Sequence, residues 1–143
     1  PVTTIATSAF NNCSNLNKIL IGKNVTSIGT GIFSGCNSLS AITVDADNPV
    51  YHSAGNCLIE TSSKRMIAGC KNSTIPADGS VTSIDRLAFY KCGTITAISI
   101  PNTVESIGAS AFEGCTLLSN LTIGSSVKSI GNSAFFHAPF PIY

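Results

Sequence analysis

The chain has 143 residues, of which 43% are apolar and only 10% are charged, and its formal net charge is +1. This length suits one domain, 1–143. The charge balance leaves no basic excess to neutralise phosphates, so it argues against binding to nucleic acid and against anchoring to anionic lipid. No apolar run approaches the roughly 20 residues that cross a bilayer, so we expect no membrane insertion. The chain opens at Pro1 without a signal peptide or an initiating Met, which leads us to expect a processed product or a piece of a longer protein.

The dominant feature is an internal repeat with a period of 23, which is the signature of stacked coils. In each copy an isoleucine precedes a phenylalanine by five positions, and the pairs are Ile5 and Phe10, Ile28 and Phe33, Ile84 and Phe89, Ile107 and Phe112, and Ile130 and Phe135. Repeats therefore start near residues 5, 28, 84, 107 and 130. The spacing from Ile28 to Ile84 is longer, at 56, which equals a coil of 23 plus an insertion of 33. We place the irregular stretch at residues 45–83.

Each coil contains two predicted elements in chain order. The first has apolar spacings of three and four, as in Ala9–Leu16, which are typical of a short helical or 3₁₀ turn. The second, as in Leu16–Ile21, has the period of two that predicts a short strand with one buried face. In the insertion, Cys57–Glu60 and Met66–Ala68 predict a β-hairpin, followed by one more coil edge built on Ile75.

These elements predict an α/β fold, a leucine-rich-repeat solenoid. We expect every coil to add one short strand to a continuous parallel β-sheet, with helical or 3₁₀ turns on the other side. The phenylalanine column should form the core, together with columns of Ile, Leu, Val and Cys.

The copies at Ile84–Pro101 and Ile107–Val127 resemble the BspA-type leucine-rich repeats of bacterial and some protist surface proteins. They best match the pattern Ile-Gly-x-x-Ala-Phe-x-x-Cys-x-x-Leu-x-x-Ile-x-Ile-Pro-x-x-Val. The first copy has Asp85 and Ile95 at the Gly and Leu positions, and the second has Leu121 and Gly124 at the second Ile and the Pro positions. The resemblance covers nearly the whole chain, including the insertion. It implies a secreted or cell-surface binding module, associated with adhesion to host matrix proteins or other cells, with no catalytic residues and no cofactor.

Six cysteines invite a search for disulfides, metal sites or a nucleophile. Four of them occupy one repeat position, where a small buried residue is expected, and these are Cys13, Cys36, Cys92 and Cys115. We interpret this column as compact apolar packing. Cys57 and Cys70 flank the predicted hairpin, so a disulfide between them and two free thiols remain alternatives. Without a Cys-x-x-Cys pair, a zinc site is disfavoured.

Candidates for catalysis are few. Cys57 and His52 lie close in sequence and could be drawn as the dyad of a thiol hydrolase, but nothing else in the sequence supports it. His137 is the only other histidine, and it lies far from His52, in the last coil. Asp47-Asn48-Pro49 is more typical of an Asx turn than of a calcium loop, which needs more oxygen ligands. We expect no enzyme, no metal and no cofactor.

Solvent-facing strand residues are the better candidates for binding, because stacked coils place them in rows that can contact a partner. The two predicted rows are Lys18, Ala41, Ala97 and Asn120, and Leu20, Thr43, Ser99 and Thr122. From the insertion we add Tyr51, His52 and Arg65. We expect a protein ligand, such as a host matrix protein or another surface protein, with a glycan as an alternative, at an extracellular or cell-surface location. The alternative function is a structural spacer within a larger surface protein.

Overall fold

The computed structural model describes residues 1–139, which form a solenoid of about six turns. Two-residue strands alternate with longer ones along most of the chain. The twelve strands are β1 (Thr4–Ile5), β2 (Lys18–Ile21), β3 (Ser27–Ile28), β4 (Ala41–Val44), β5 (Tyr51–Ala54), β6 (Cys57–Glu60), β7 (Arg65–Ala68), β8 (Ser83–Ile84), β9 (Ala97–Ile100), β10 (Ser106–Ile107), β11 (Asn120–Ile123) and β12 (Ser129–Ile130).

Each regular coil contributes two kinds of strand. The two-residue strands pair in parallel with their equivalents one repeat away, as Ile5 does with Ile28 and Ile107 with Ile130. The four-residue strands also pair in parallel, β2 with β4 and β9 with β11. The repeat period of the sequence therefore sets the pairing register of these strands, since each residue pairs with its equivalent in the next coil.

The predicted helical or 3₁₀ turns are not confirmed, because residues 1–139 contain no helix. In the first coil, Ala9, Asn11 and Cys13 donate their N–H groups to carbonyls three positions back. Between them, the N–H groups of Ser8, Phe10 and Asn12 donate to Thr30, Ile32 and Ser34 of the next coil at 2.8–3.0 Å. Half of the donors are thus used between coils, so no continuous helical ladder can form.

Residues with positive φ also prevent a helix from forming, and they recur at the same two positions in every regular coil. Ser8 and Asn12 both have φ near +58°, in the left-handed region that ends a right-handed helix. Their equivalents in the other coils are also left-handed, and these are Gly31 and Gly35, Leu87 and Lys91, Ser110 and Gly114, and Ser133 and His137. Only three of these ten residues are glycine, which is why the sequence did not reveal the pattern.

The insertion is a complete layer of the solenoid. The predicted hairpin is confirmed, since β6 pairs antiparallel with β7. A third strand, β5, pairs antiparallel with the other edge of β6, and β7 continues in parallel with β8. The result is one six-stranded sheet in the order β12-β10-β8-β7-β6-β5.

This layer separates two hydrophobic cores. Leu58 and Ile67 pack into the N-terminal core with Ile21, Phe33 and Ile42. Their neighbours on the same strands, Cys57, Ile59 and Met66, pack into the C-terminal core with the phenylalanines Phe89, Phe112 and Phe135. Because successive strand residues point to opposite faces, β6 and β7 can be apolar except at Glu60 and Arg65 beside the turn, and can bury both faces.

The phenylalanine column is confirmed as part of these cores. Phe89 and Phe112 stack with ring centroids 4.8 Å apart, and Phe112 and Phe135 stack at 5.2 Å. Phe10 and Phe33 form a separate pair at 6.0 Å. The column is therefore divided by the insertion in the same way as the cores.

The prediction of one continuous parallel sheet is wrong. The four-residue strands form two separate pairs, β2-β4 and β9-β11, because the insertion lies between β4 and β9. The two-residue strands are divided as well: β1 and β3 form a separate pair, whereas β8, β10 and β12 join the sheet of the insertion.

Candidate functional site

The solvent-facing residues of the four-residue strands form two surfaces. Register places Lys18 beside Ala41 and Leu20 beside Thr43, and this group of four is called the N-terminal strand surface. On the other side of the insertion, Asn120 lies beside Ala97 and Thr122 beside Ser99, and this group is the C-terminal strand surface. Each predicted row of four is thus split into two pairs of neighbours, one on each side of the insertion. Ala41 and Ala97 do not pair with each other.

The two surfaces differ in chemistry. The N-terminal strand surface carries a cation, Lys18, and an apolar side chain, Leu20, that is 67% exposed. The C-terminal strand surface has only small or neutral polar side chains, all of them exposed. Neither contains Trp, Tyr or Arg, the residues that most often dominate binding energy at interfaces, so contacts of one chain through either surface should be weak.

A shallow groove of about 440 Å³ lies along the C-terminal strand surface. One wall is the extended segment at residues 73–77, and the other is β9 with Asn120 and Thr122 of β11. None of the lining residues is charged. The sequence did not predict this groove, because only the structure shows that residues 73–77 run beside β9.

The predicted contact residues of the insertion are largely used inside the molecule. Tyr51 is only 4% exposed, and its hydroxyl accepts a hydrogen bond of 3.0 Å from the Ile28 N–H. We therefore leave Tyr51 out of the proposed binding surface. The burial follows from the packing of the Tyr51 side chain into the N-terminal core. Aromatic character alone does not distinguish such a core residue from a contact residue.

Arg65 and His52 are half-buried and already have partners. The Arg65 guanidinium lies 3.2 Å from Asp85 and 3.6 Å from Glu60. The Nδ1 atom of His52 lies 2.7 Å from Thr61 Oγ1. Arg65 has its charge balanced by two carboxylates, so it offers little attraction to an acidic ligand.

Five of the six cysteines are buried, and Cys13 is exposed. All six are free thiols, including Cys57 and Cys70, which belong to different cores. Burial raises the pKa of the Cys57 thiol to about 12, and that of Cys92 to about 12. A thiol with so high a pKa is a poor nucleophile at neutral pH. The Cys57 Sγ contacts the carbonyls of Gly55 and Thr74 instead of His52.

The repeated cysteines have a structural hydrogen bond. The Cys36 thiol donates to the carbonyl of Phe10 at 3.0 Å, and the Cys115 thiol donates to that of Phe89 at 3.2 Å. Both bonds join one coil to the preceding one. Cys13 at the same repeat position is exposed in the first coil.

Within residues 1–139, no cluster of three or more His, Cys, Asp or Glu side chains could hold a metal ion. The same part of the chain contains no helix long and apolar enough to cross a membrane.

Comparison with known proteins gives a consistent result. The family model described as "BspA type Leucine rich repeat region (6 copies)" matches residues 1–67. A leucine-rich cell surface protein of Faecalibacterium prausnitzii A2-165 is similar over 94% of this chain, with 33% identity and a TM-score of 0.75. No curated protein matches the chain in sequence.

Two further solved structures are similar to this chain. A leucine-rich-repeat protein of Bacteroides ovatus is 29% identical over 95% of this chain, with a TM-score of 0.57. The pneumococcal vaccine antigen PcpA shares the fold over 91% of the chain, with 20% identity and a TM-score of 0.75. The chain spans 36%, 35% and 38% of these three structures respectively, so it corresponds to about a third of each.

Proposed function

We propose that the chain is a protein-binding module without catalytic activity, and that its two strand surfaces contact the partner. The match of the BspA-type leucine-rich-repeat model to residues 1–67 supports this proposal. The observation that carries this proposal is the pair of regular, exposed rows on β2-β4 and β9-β11. Each row places neighbouring side chains about 5 Å apart on a flat support, which suits contact with another macromolecule better than enclosure of a small substrate.

The location that we propose is extracellular or at a cell surface, with adhesion to a host matrix protein or to another surface protein as the role. The support comes from the similarity to a bacterial cell surface protein. Scarcity of charge on the strand surfaces favours a protein partner that is itself weakly charged, and a glycan is the alternative ligand because Ser99, Asn120 and Thr122 offer neutral hydrogen-bonding groups.

Binding to a panel of immobilised matrix proteins, cell-surface proteins and glycans tests the proposal. We expect saturable binding of the purified chain to at least one protein, weakened by tenfold or more in a variant that combines Lys18→Ala, Leu20→Ala and Asn120→Ala. The matched control is Lys128→Ala combined with Thr116→Ala, since both residues are exposed and lie outside the strand surfaces.

The opposite result would favour the alternative function, a structural spacer. In that case the chain would bind nothing in the panel, even when many copies are displayed on one particle. Binding that the strand-surface variant leaves unchanged would keep the recognition role but assign it to another face of the solenoid.

A further inference from the structure

The insertion leaves two strand edges facing it, that of β4 and that of β9. In a parallel ladder, alternate residues direct their N–H and C=O groups to opposite neighbours. The edge of β4 that faces the insertion presents the N–H groups of Ile42 and Val44. Asn56 Oδ1 accepts from Ile42 at 3.3 Å, and Ser53 Oγ accepts from Val44 at 2.9 Å. Side chains of the insertion therefore close this edge.

The corresponding edge of β9 is open. Asn120 donates its N–H to Thr96 and Gly124 donates to Ile100, so Ile98 and Ile100 face β11, and Ala97 and Ser99 face the insertion. Across residues 1–139, neither the N–H nor the C=O group of Ala97 or Ser99 has a hydrogen-bond partner. Thr74, on the opposite wall, directs its own N–H away from β9 to Gly55 at 2.8 Å.

This open edge borders the groove on the C-terminal strand surface. Ala97 and Ser99 are exposed and line the groove together with Thr74 and Ala77. Two donors and two acceptors stand about 7 Å apart along the strand, the spacing of residues i and i+2 in an extended chain. Such an edge is a template for another strand, and strand addition is an established way of recognising extended peptides.

We propose that the groove binds an extended, uncharged segment of the partner protein, which pairs its main chain with Ala97 and Ser99 of β9. The inference rests on the proposed function and names the form in which the partner binds. An uncharged segment is favoured because the groove has no charged lining residue, so a buried charge would have no counter-charge.

Amide hydrogen exchange of the free chain is the first test. We expect the Ala97 and Ser99 amides to exchange about 100-fold faster than those of Ile98 and Ile100, because only the latter two are paired with β11. The Ile42 and Val44 amides on the closed edge of β4 serve as the comparison and should be protected. Equal protection of all four β9 amides would show that the edge is not available and would overturn the proposal.

The second test selects peptides from a random eight-residue display library against the full chain. We expect uncharged peptides that slow the exchange of Ala97 and Ser99, and whose affinity falls at least tenfold when alternate peptide amides are N-methylated. Ser99→Lys should weaken their binding at least tenfold, whereas Thr116→Lys, outside both strand surfaces, should not. Urea unfolding of both variants verifies that each is folded.

Peptides that protect other amides, or a library that yields no binder, would overturn this inference. Neither result would remove the proposed function if a folded protein from the panel still binds in a way that depends on Lys18, Leu20 and Asn120. The two experiments thus distinguish a failure of the proposed peptide binding in the groove from a failure of the proposed protein-binding function.

Discussion

At the scale of single residues, the repeat is enforced by close packing between coils. The clearest case is the glycine that follows the isoleucine in three coils. A Cβ atom built on Gly108 would overlap the backbone N of Arg86, and one on Gly131 would overlap that of Ala109. Asp85 occupies the same repeat position, where β7 of the insertion precedes it instead of a regular coil. There the carboxylate pairs with Arg65.

Gly108→Ala should therefore lower the free energy of unfolding by about 1–3 kcal/mol, because the backbone of the preceding coil must move to admit the methyl group. Gly22→Ala is the matched control, since a Cβ there meets nothing within 4 Å, and its effect should stay within about 0.5 kcal/mol. Urea unfolding of the two variants measures both values. Equal stabilities would contradict the packing described for this column.

The phenylalanine column makes a second prediction at this scale. Phe112 is fully buried between Phe89 and Phe135, so Phe112→Ala should cost about 3–5 kcal/mol. Phe10 is half-buried in the first coil, and its ring stacks on that of Phe33 at 6.0 Å. Phe10→Ala should cost clearly less. Thermal unfolding compares the two variants, and a smaller loss for Phe112→Ala would show that the column is not the centre of the core.

The buried thiols predict a loss of stability at alkaline pH. Burial raises the pKa of Cys57 and of Cys92 from 9.0 to about 12, so each folded thiol stays protonated where the unfolded one ionises. The stabilising effect is complete below pH 9 and is lost as the pH rises towards 12. Between these limits each thiol should reduce the free energy of unfolding by about 1.4 kcal/mol per pH unit.

Urea unfolding at intervals from pH 7 to pH 11 measures this dependence. Cys92→Ala should be less stable than the unchanged chain at pH 7 but should show a shallower decline above pH 9. The rate of alkylation gives an independent check, because exposed Cys13 should react quickly and the buried thiols slowly while the chain is folded. A slope that is unchanged in Cys92→Ala would contradict burial of that thiol.

At the scale of elements, the sequence was most informative where it repeats. The repeat period predicted the coils, the phenylalanine column and the parallel register of Lys18 with Ala41 and of Ala97 with Asn120. Apolar spacing also predicted the hairpin of β6 and β7. All of these predicted features depend on residues that are near in sequence or that recur at the same position in each copy.

The prediction of helical turns failed because the spacing of apolar residues does not show which groups form hydrogen bonds between coils. Spacings of three and four arise in these turns without a helix, because Phe10, Phe89 and Phe112 donate their N–H groups to the next coil. The sequence also marked residues 45–83 as irregular without showing that they form a full layer. Tyr51 was consequently placed on the surface, although its strand faces the N-terminal core.

Because the insertion lies between the two cores, we predict that neighbouring residues on one of its strands stabilise different halves of the molecule. Leu58 packs into the N-terminal core and Ile59 into the C-terminal core, and both are fully buried. Each change to Ala should cost about 2–5 kcal/mol, with hydrogen exchange accelerated first in β2 and β4 for Leu58→Ala and in β9 and β11 for Ile59→Ala. Acceleration of the same amides in both variants would mean that the two cores unfold as one unit.

At the scale of the whole molecule, the solenoid offers two small strand surfaces separated by a structural layer. Neither surface has the aromatic or arginine side chains of a strong interface, so binding by one chain should be weak. Display of many chains on one particle should raise the apparent affinity by about 10²–10⁴. A longer repeat array would present the same kind of strand row many times.

The proposed function requires that partners contact the strand surfaces and not the turns that contain the phenylalanines. The most direct measurement is photo-crosslinking to a bound panel protein from a photoreactive residue placed at Thr43 or Thr122, compared with one placed at Ser8 or Asn132, which are exposed residues of the turns. We predict adducts from the two strand positions and none from the turn positions. Adducts from the turns alone would contradict the claim and would assign recognition to the opposite side of the solenoid.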